Sequence, residues 1–125
     1  MAVAPSSVVL LVAHGSRLRS ANEAHQQLCS AVSSRAGTEV RPAFLELAEP
    51  SIPEAIDRAV ADGAVTVRVL PHFLHSGRHL VEDIPRLVDE AAARHAGRAV
   101  VVLEGHTGAH DSMIELLSDL ASRSR

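Results

Sequence analysis

Val65-Thr66-Val67-Arg68-Val69-Leu70 runs straight into Pro71-His72-Phe73-Leu74-His75-Ser76-Gly77-Arg78-His79-Leu80-Val81-Glu82-Asp83-Ile84-Pro85. The first six residues are mostly β-branched or aliphatic, as in a strand of a covered sheet. The next segment holds three histidines within eight residues, beside a Ser-Gly break. Imidazole is the commonest side-chain ligand for transition metals and titrates near neutral pH, so a loop that handles a metal or a proton is expected at the carboxyl end of this strand.

Outward from that strand, the same unit recurs. Ser7-Val8-Val9-Leu10-Leu11-Val12-Ala13 is a near-continuous apolar run that reads as a central parallel strand, closed by His14-Gly15-Ser16-Arg17. From Ser20, the spacing of Ala24, Leu28, Ala31 and Val32 predicts a helix to Arg35, ended by Gly37. Glu39 to Leu45 reads as the second strand. Pro50 and Ser51 then open a helix with Ile52, Ala55, Ile56 and Ala59 on one face, stopped by Gly63. After the histidine loop, Pro85 begins a helix with Leu87, Val88, Ala91 and Ala92 as its stripe, stopped by Gly97. Ala99-Val100-Val101-Val102-Leu103 reads as a fourth strand, and a last helix is predicted from about Asp111 to Ser122.

The pattern βαβαβαβα with short connections predicts one domain over residues 1–125, with a four-stranded parallel sheet and helices on both faces. In such sheets ligands sit beyond the carboxyl ends of the strands, where strand order reverses. For the flavodoxin-like order that point lies between the first and third strands. His14 and His79, 65 positions apart, follow those two strands and are expected to converge.

Composition excludes several classes of function. A formal charge of -3 gives no basic field for nucleic acid, and the only aromatics, Phe44 and Phe73, make no base-stacking platform. All basic residues are Arg, so an anionic ligand would meet guanidinium groups. Cys29 stands alone and supports neither a disulfide nor a Cys-based zinc site; it reads as a small buried apolar residue. No run approaches a membrane span, and Met1 to Ala13 lacks the pattern of a signal peptide, so the cytoplasm is the expected compartment.

Of the remaining histidines, His25 and His95 fall within helical runs and read as surface groups. His106 and His110 flank Gly108 after the last strand, and their roles stay open. His72 and His75 either ligate or only line the pocket, and Ser76-Gly77 argues against one continuous helix carrying His75 and His79. Glu46 and Glu49 at the end of the second strand are candidate carboxylates for a metal or a proton. Gly15 alone is too weak a signal for a nucleotide site.

Three separated motifs together are more specific than any one of these residues. Val12-Ala13-His14-Gly15-Ser16-Arg17 with Ala21-Asn22, Ala43-Phe44-Leu45-Glu46 with Pro50-Ser51-Ile52, and Leu70-Pro71-His72-Phe73-Leu74 through Gly77-Arg78-His79 to Asp83-Ile84-Pro85 resemble the short CbiX family of class II tetrapyrrole chelatases. The resemblance covers essentially the whole chain. It implies a sirohydrochlorin cobalto- or ferrochelatase, acting in cobalamin or siroheme biosynthesis as a homodimer of two flavodoxin-like halves. Co2+ or Fe2+, with Ni2+ as an alternative, is then a substrate, and no organic cofactor is implied. By the same resemblance, His14 and His79 are the metal-binding histidines and Glu46 the site glutamate, with Glu49 close by. Arg17, Arg78, Phe44, Phe73, Ser76 and Gly77 are the expected substrate contacts.

The chemistry suits the residues. Two imidazoles and a carboxylate can hold a divalent ion, release it, and accept pyrrole protons, whereas a Cys-rich cage would grip it and leave no open position. A metal or tetrapyrrole carrier using the same ligands is the alternative. A histidine phosphatase is disfavoured because Ala13, not Arg, precedes His14.

Overall fold

The structure is a computed structural model that describes residues 6–124; Met1 to Pro5 and Arg125, within the expected 1–125 domain, lie outside the described residues. The chain alternates as β1 (Ser7–Ala13), α1 (Arg19–Ala36), β2 (Glu39–Phe44), α2 (Ile52–Ala61), β3 (Thr66–Pro71), α3 (Ile84–Arg94), β4 (Val100–Leu103) and α4 (Asp111–Ser122). A turn of π-helix, His79–Asp83, precedes α3, and a 3-10 turn, Thr107–Ala109, precedes α4. All neighbouring strands pair in parallel, in the order β2-β1-β3-β4. The expected open sheet is therefore present, with its reversal of order between β1 and β3.

Local chemistry explains the boundaries. Ser51 caps α2: its hydroxyl accepts from the Glu54 N–H while the Glu54 carboxylate accepts from the Ser51 N–H. Such a reciprocal cap contributes about 1 kcal/mol. Gly37 takes the left-handed conformation that ends α1, at φ 68°.

β1 is buried on both faces, which is why its sequence is a continuous apolar run rather than an alternating one. Val8, Leu10 and Val12 join Val67 and Val69 under α2 and α3, through Ile52, Ile56, Ile84, Val88 and Ala91. Val9, Leu11 and Val40 face Cys29 of α1. Val12 lies opposite both Ala43 and Pro71, so the segments that follow β1, β2 and β3 emerge side by side at one edge.

Two expectations about the helices are corrected. His25 and His95 are buried, not surface groups. The His25 Nε2–H donates to the Leu11 carbonyl at 2.8 Å, and the His95 Nε2–H donates to Asp57 Oδ1 at 2.7 Å, fastening α1 to β1 and α3 to α2. Such an acceptor satisfies the donating nitrogen of each buried ring, although Nδ1 of His95 is buried without a hydrogen-bond partner. The last helix forms where expected but does not complete a layer: no residue of α4 is buried.

Candidate metal centre

His14 leaves the carboxyl end of β1 and is held against the segment after β2. The Leu45 N–H donates to the Ala13 carbonyl at 2.9 Å and the Glu46 N–H to the His14 carbonyl at 3.0 Å, extending the β1–β2 pairing past both strands. Gly15 makes this approach possible. Its φ is 97°, and a Cβ built there would lie 1.7 Å from the Glu46 carbonyl oxygen. Beyond it, Asn22 clamps Ser16, accepting from its N–H at 3.0 Å and donating to its carbonyl at 2.8 Å. The result is His14 Nε2 at 3.3 Å from Glu46 Oε1, with both side chains about half exposed. The His14 Nδ1–H donates to the Gly15 carbonyl at 3.2 Å, which leaves Nε2 as the nitrogen with a free lone pair.

His79 arrives from the neighbouring strand. It opens the π-helical turn after the Ser76-Gly77 break, so His75 and His79 do not share one helix. Its ring meets that of His14 edge to face, with centroids 5.3 Å apart. Asp83 fixes its orientation by accepting from His79 Nδ1–H at 2.6 Å, a carboxylate–imidazole pairing that typically directs the opposite nitrogen to a metal. Reasoning from the sequence did not single out Asp83. The available signal was its position four residues after His79, at the start of the next helical run. π-Helical turns are rare and are concentrated at functional sites.

Glu46 is thus the carboxylate within reach of His14; Glu49 is exposed and precedes the cis peptide bond to Pro50. Arg17, Ser76 and Gly77 are exposed on the loops around the two histidines, and Arg78 pairs loosely with Glu82 at 3.4 Å. Phe73 is half-buried against the main core. Phe44 departs from expectation: it is fully buried and packs edge to face on His25, so it supports the floor of the site instead of offering a face to a ligand.

The other histidines are drawn elsewhere. Thr107 Oγ1 donates to the Pro71 carbonyl at 3.3 Å, so it accepts from His72 Nδ1 at 3.0 Å, and the His72 ring stacks on His25 at 6.3 Å. His75 is exposed, and His110 donates to the Gly105 carbonyl at 3.1 Å. Among the described residues no three His, Cys, Asp or Glu side chains already form a cage around one point. What stands at the sheet edge is an open set, two imidazoles in contact and a carboxylate on one of them.

An open parallel α/β sheet with paired histidines at its switch point puts a candidate site where doubly wound α/β domains bind their ligands. The chain belongs to the CbiX family, whose model matches residues 8–124. It is 36% identical over 112 residues to the chloroplastic sirohydrochlorin ferrochelatase of Arabidopsis thaliana, covering 89% of this chain and 49% of that protein. It is 40% identical over 81 residues to the sirohydrochlorin cobaltochelatase of Methanocaldococcus jannaschii, covering 64% of this chain and 57% of that one. The chain thus spans only about half the length of these curated relatives. Among solved structures, a CbiX protein from Marinobacter aquaeolei VT8 superposes with a TM-score of 0.79 at 28% identity, over 92% of this chain and 93% of that one. The chelatase SirB from Bacillus subtilis subspecies spizizenii, solved with cobalt, shares the fold with a TM-score of 0.79 over 91% of this chain and 49% of its own.

Proposed function

We propose that this chain is one CbiX-type chelatase domain, residues 1–125, that inserts Co2+ or Fe2+ into sirohydrochlorin in the cytoplasm. The observation that carries this reading is the open set at the sheet edge: the His14 and His79 rings in contact at 5.3 Å and Glu46 at 3.3 Å from His14. Family membership and the names of the relatives support the substrate class.

In this reading His14 Nε2 and the Asp83-oriented His79 offer lone pairs to the incoming ion, and the exposure of both rings leaves coordination positions for the macrocycle nitrogens. Glu46 accepts a pyrrole proton as the ion moves from protein to ring. Such ligands hold a divalent ion without enclosing it, which suits a metal that must be handed on. Arg17 and Arg78, exposed beside the two histidines, pair with carboxylates of the substrate. The working unit is a homodimer. A four-stranded sheet offers one wall to a large macrocycle, and this fold matches about half of the SirB chain.

Purified protein given sirohydrochlorin and Co2+, Fe2+ or Ni2+ in turn is the test, with the absorbance of the tetrapyrrole as readout. Catalytic formation of a metallated product with cobalt or iron is expected. Stoichiometric metal or tetrapyrrole binding without turnover would instead identify a carrier.

A further inference from the structure

Leu47 occupies a position where neither backbone nor packing favours a leucine. The Phe44 N–H donates to the Pro50 carbonyl at 2.9 Å and closes the intervening residues into a short loop. The Glu46 N–H, bonded to the His14 carbonyl at 3.0 Å, pins that loop to the segment after β1. Having left Glu46, the chain must turn back to reach Pro50. It does so at Leu47, whose φ is 65° and which is the only non-glycine residue with positive φ among the described residues. A side chain with a Cβ is disfavoured in this left-handed region, which glycine or asparagine ordinarily takes. Burial does not offset that cost: Leu45 packs against the main core, whereas Leu47 is 53% exposed. Backbone strain that the fold does not need is concentrated at active sites and ligand clamps.

The neighbouring loops repeat the exposed leucine. Leu18, 65% exposed, follows His14 and Arg17 after β1, and Leu74, 57% exposed, precedes His79 after β3. One exposed leucine needs no explanation, but each of the three loops that carry His14, Glu46 and His79 presents one. Arg17 and Arg78 are exposed on two of the same loops. Apolar area with guanidinium groups beside it suits a ligand with a flat apolar face and carboxylates at its rim.

We infer that Leu47 is a substrate-binding residue, whose side chain, held out beside Glu46 by the left-handed turn, packs on the apolar face of the tetrapyrrole macrocycle, with Leu18 and Leu74 contributing from the other two loops. The inference rests on the chelatase reading above and adds a residue that recognises the ring and not the metal. Because Leu47 directly follows Glu46, one short loop seats the macrocycle and presents the carboxylate that receives its protons.

The test is the dissociation constant for metal-free sirohydrochlorin, from its absorbance, and separately that for Co2+ alone, in wild type, Leu47→Asn and Leu47→Met. Asparagine tolerates the left-handed conformation, so Leu47→Asn removes the apolar contact without straining the loop. Its sirohydrochlorin affinity should fall about 10-fold, as expected for a partly buried leucine. Its cobalt affinity should match that of the wild type, and Leu47→Met should bind both ligands nearly as well as the wild type. Wild-type sirohydrochlorin affinity in Leu47→Asn overturns the inference. So does a parallel loss of cobalt affinity, which would mean that Leu47 acts by holding Glu46 in place. If Leu47→Asn does not fold, Leu47→Gly is read in the same way. A wild-type protein that does not bind sirohydrochlorin removes the chelatase reading and this inference together, whereas wild-type binding with no effect of Leu47→Asn removes the inference alone.

Discussion

Asp83 accepts a hydrogen bond from Nδ1 of His79 at 2.6 Å, and a carboxylate that accepts at one ring nitrogen leaves the lone pair on the other. Asp83→Ala frees the ring to rotate and to change tautomer. Cobalt affinity, followed by calorimetry, should fall about 10–100-fold, with insertion falling alongside it and the circular dichroism unchanged. Asp83→Asn, which keeps an acceptor oxygen, should lose less. An Asp83→Ala protein with wild-type cobalt affinity would show that His79 needs no such support.

Gly15 and Gly37 both have positive φ, yet only Gly15 faces backbone, 1.7 Å from the Glu46 carbonyl oxygen once a Cβ is added. Gly37→Ala should cost only the left-handed conformation, about 1–2 kcal/mol in urea unfolding. Gly15→Ala should cost more than that and should also impair insertion, because it pushes the His14 and Glu46 segments apart. Equal losses for the two variants, with insertion intact in both, would contradict the proposed role of Gly15.

Much of this was legible in the sequence because the signals are local. The unbroken run Val8 to Val12 announces a strand covered twice, Ser51 and Glu54 announce the start of α2, and parallel topology alone carries His14 to His79. The rest depends on partners that meet only in three dimensions. His25 reads as a surface residue until the Leu11 carbonyl is seen beneath α1. Phe44 reads as a ligand contact until it is found under His25. α4 has the periodicity of a docked helix, but its exit direction is set by hydrogen bonds of the Glu104–Gly108 segment that no spacing reveals.

Burial of His25 holds its imidazolium form at a disadvantage, so its pKa lies below the ordinary 6.5 despite the opposing bond to Leu11, with the nearby His72 adding to the depression. The unfolded chain then binds a proton near pH 6.5 that the folded chain refuses. Stability is fully present above that pH and falls as pH drops from about 6.5 toward the depressed folded value. The thermal midpoint should decline over this range, and His25→Gln, although less stable near neutral pH, should show a shallower decline. Parallel slopes would mean that His25 does not set this limb.

Cys29 is buried beneath β1 and its thiol is pushed up to about 11 by burial. A protonated, enclosed thiol is a poor nucleophile. Iodoacetamide should label it slowly in the native protein and rapidly in urea. Cys29→Ala should cost about 1 kcal/mol of packing and leave insertion unchanged. Loss of insertion in a folded Cys29→Ala protein would mean that the thiol takes part in the chemistry.

The most direct measurement compares insertion of cobalt or iron into sirohydrochlorin by wild type, His14→Ala, His79→Ala and His110→Ala. His110 serves as the control because it is exposed and bonded only to the Gly105 carbonyl, whereas His25 and His95 support the fold. If His14 and His79 hold the metal, each of their variants loses more than the roughly 10–100-fold typical of supporting residues while remaining folded, and His110→Ala stays near wild type. Wild-type rates in both His14→Ala and His79→Ala would contradict the assignment of the metal to this edge of the sheet.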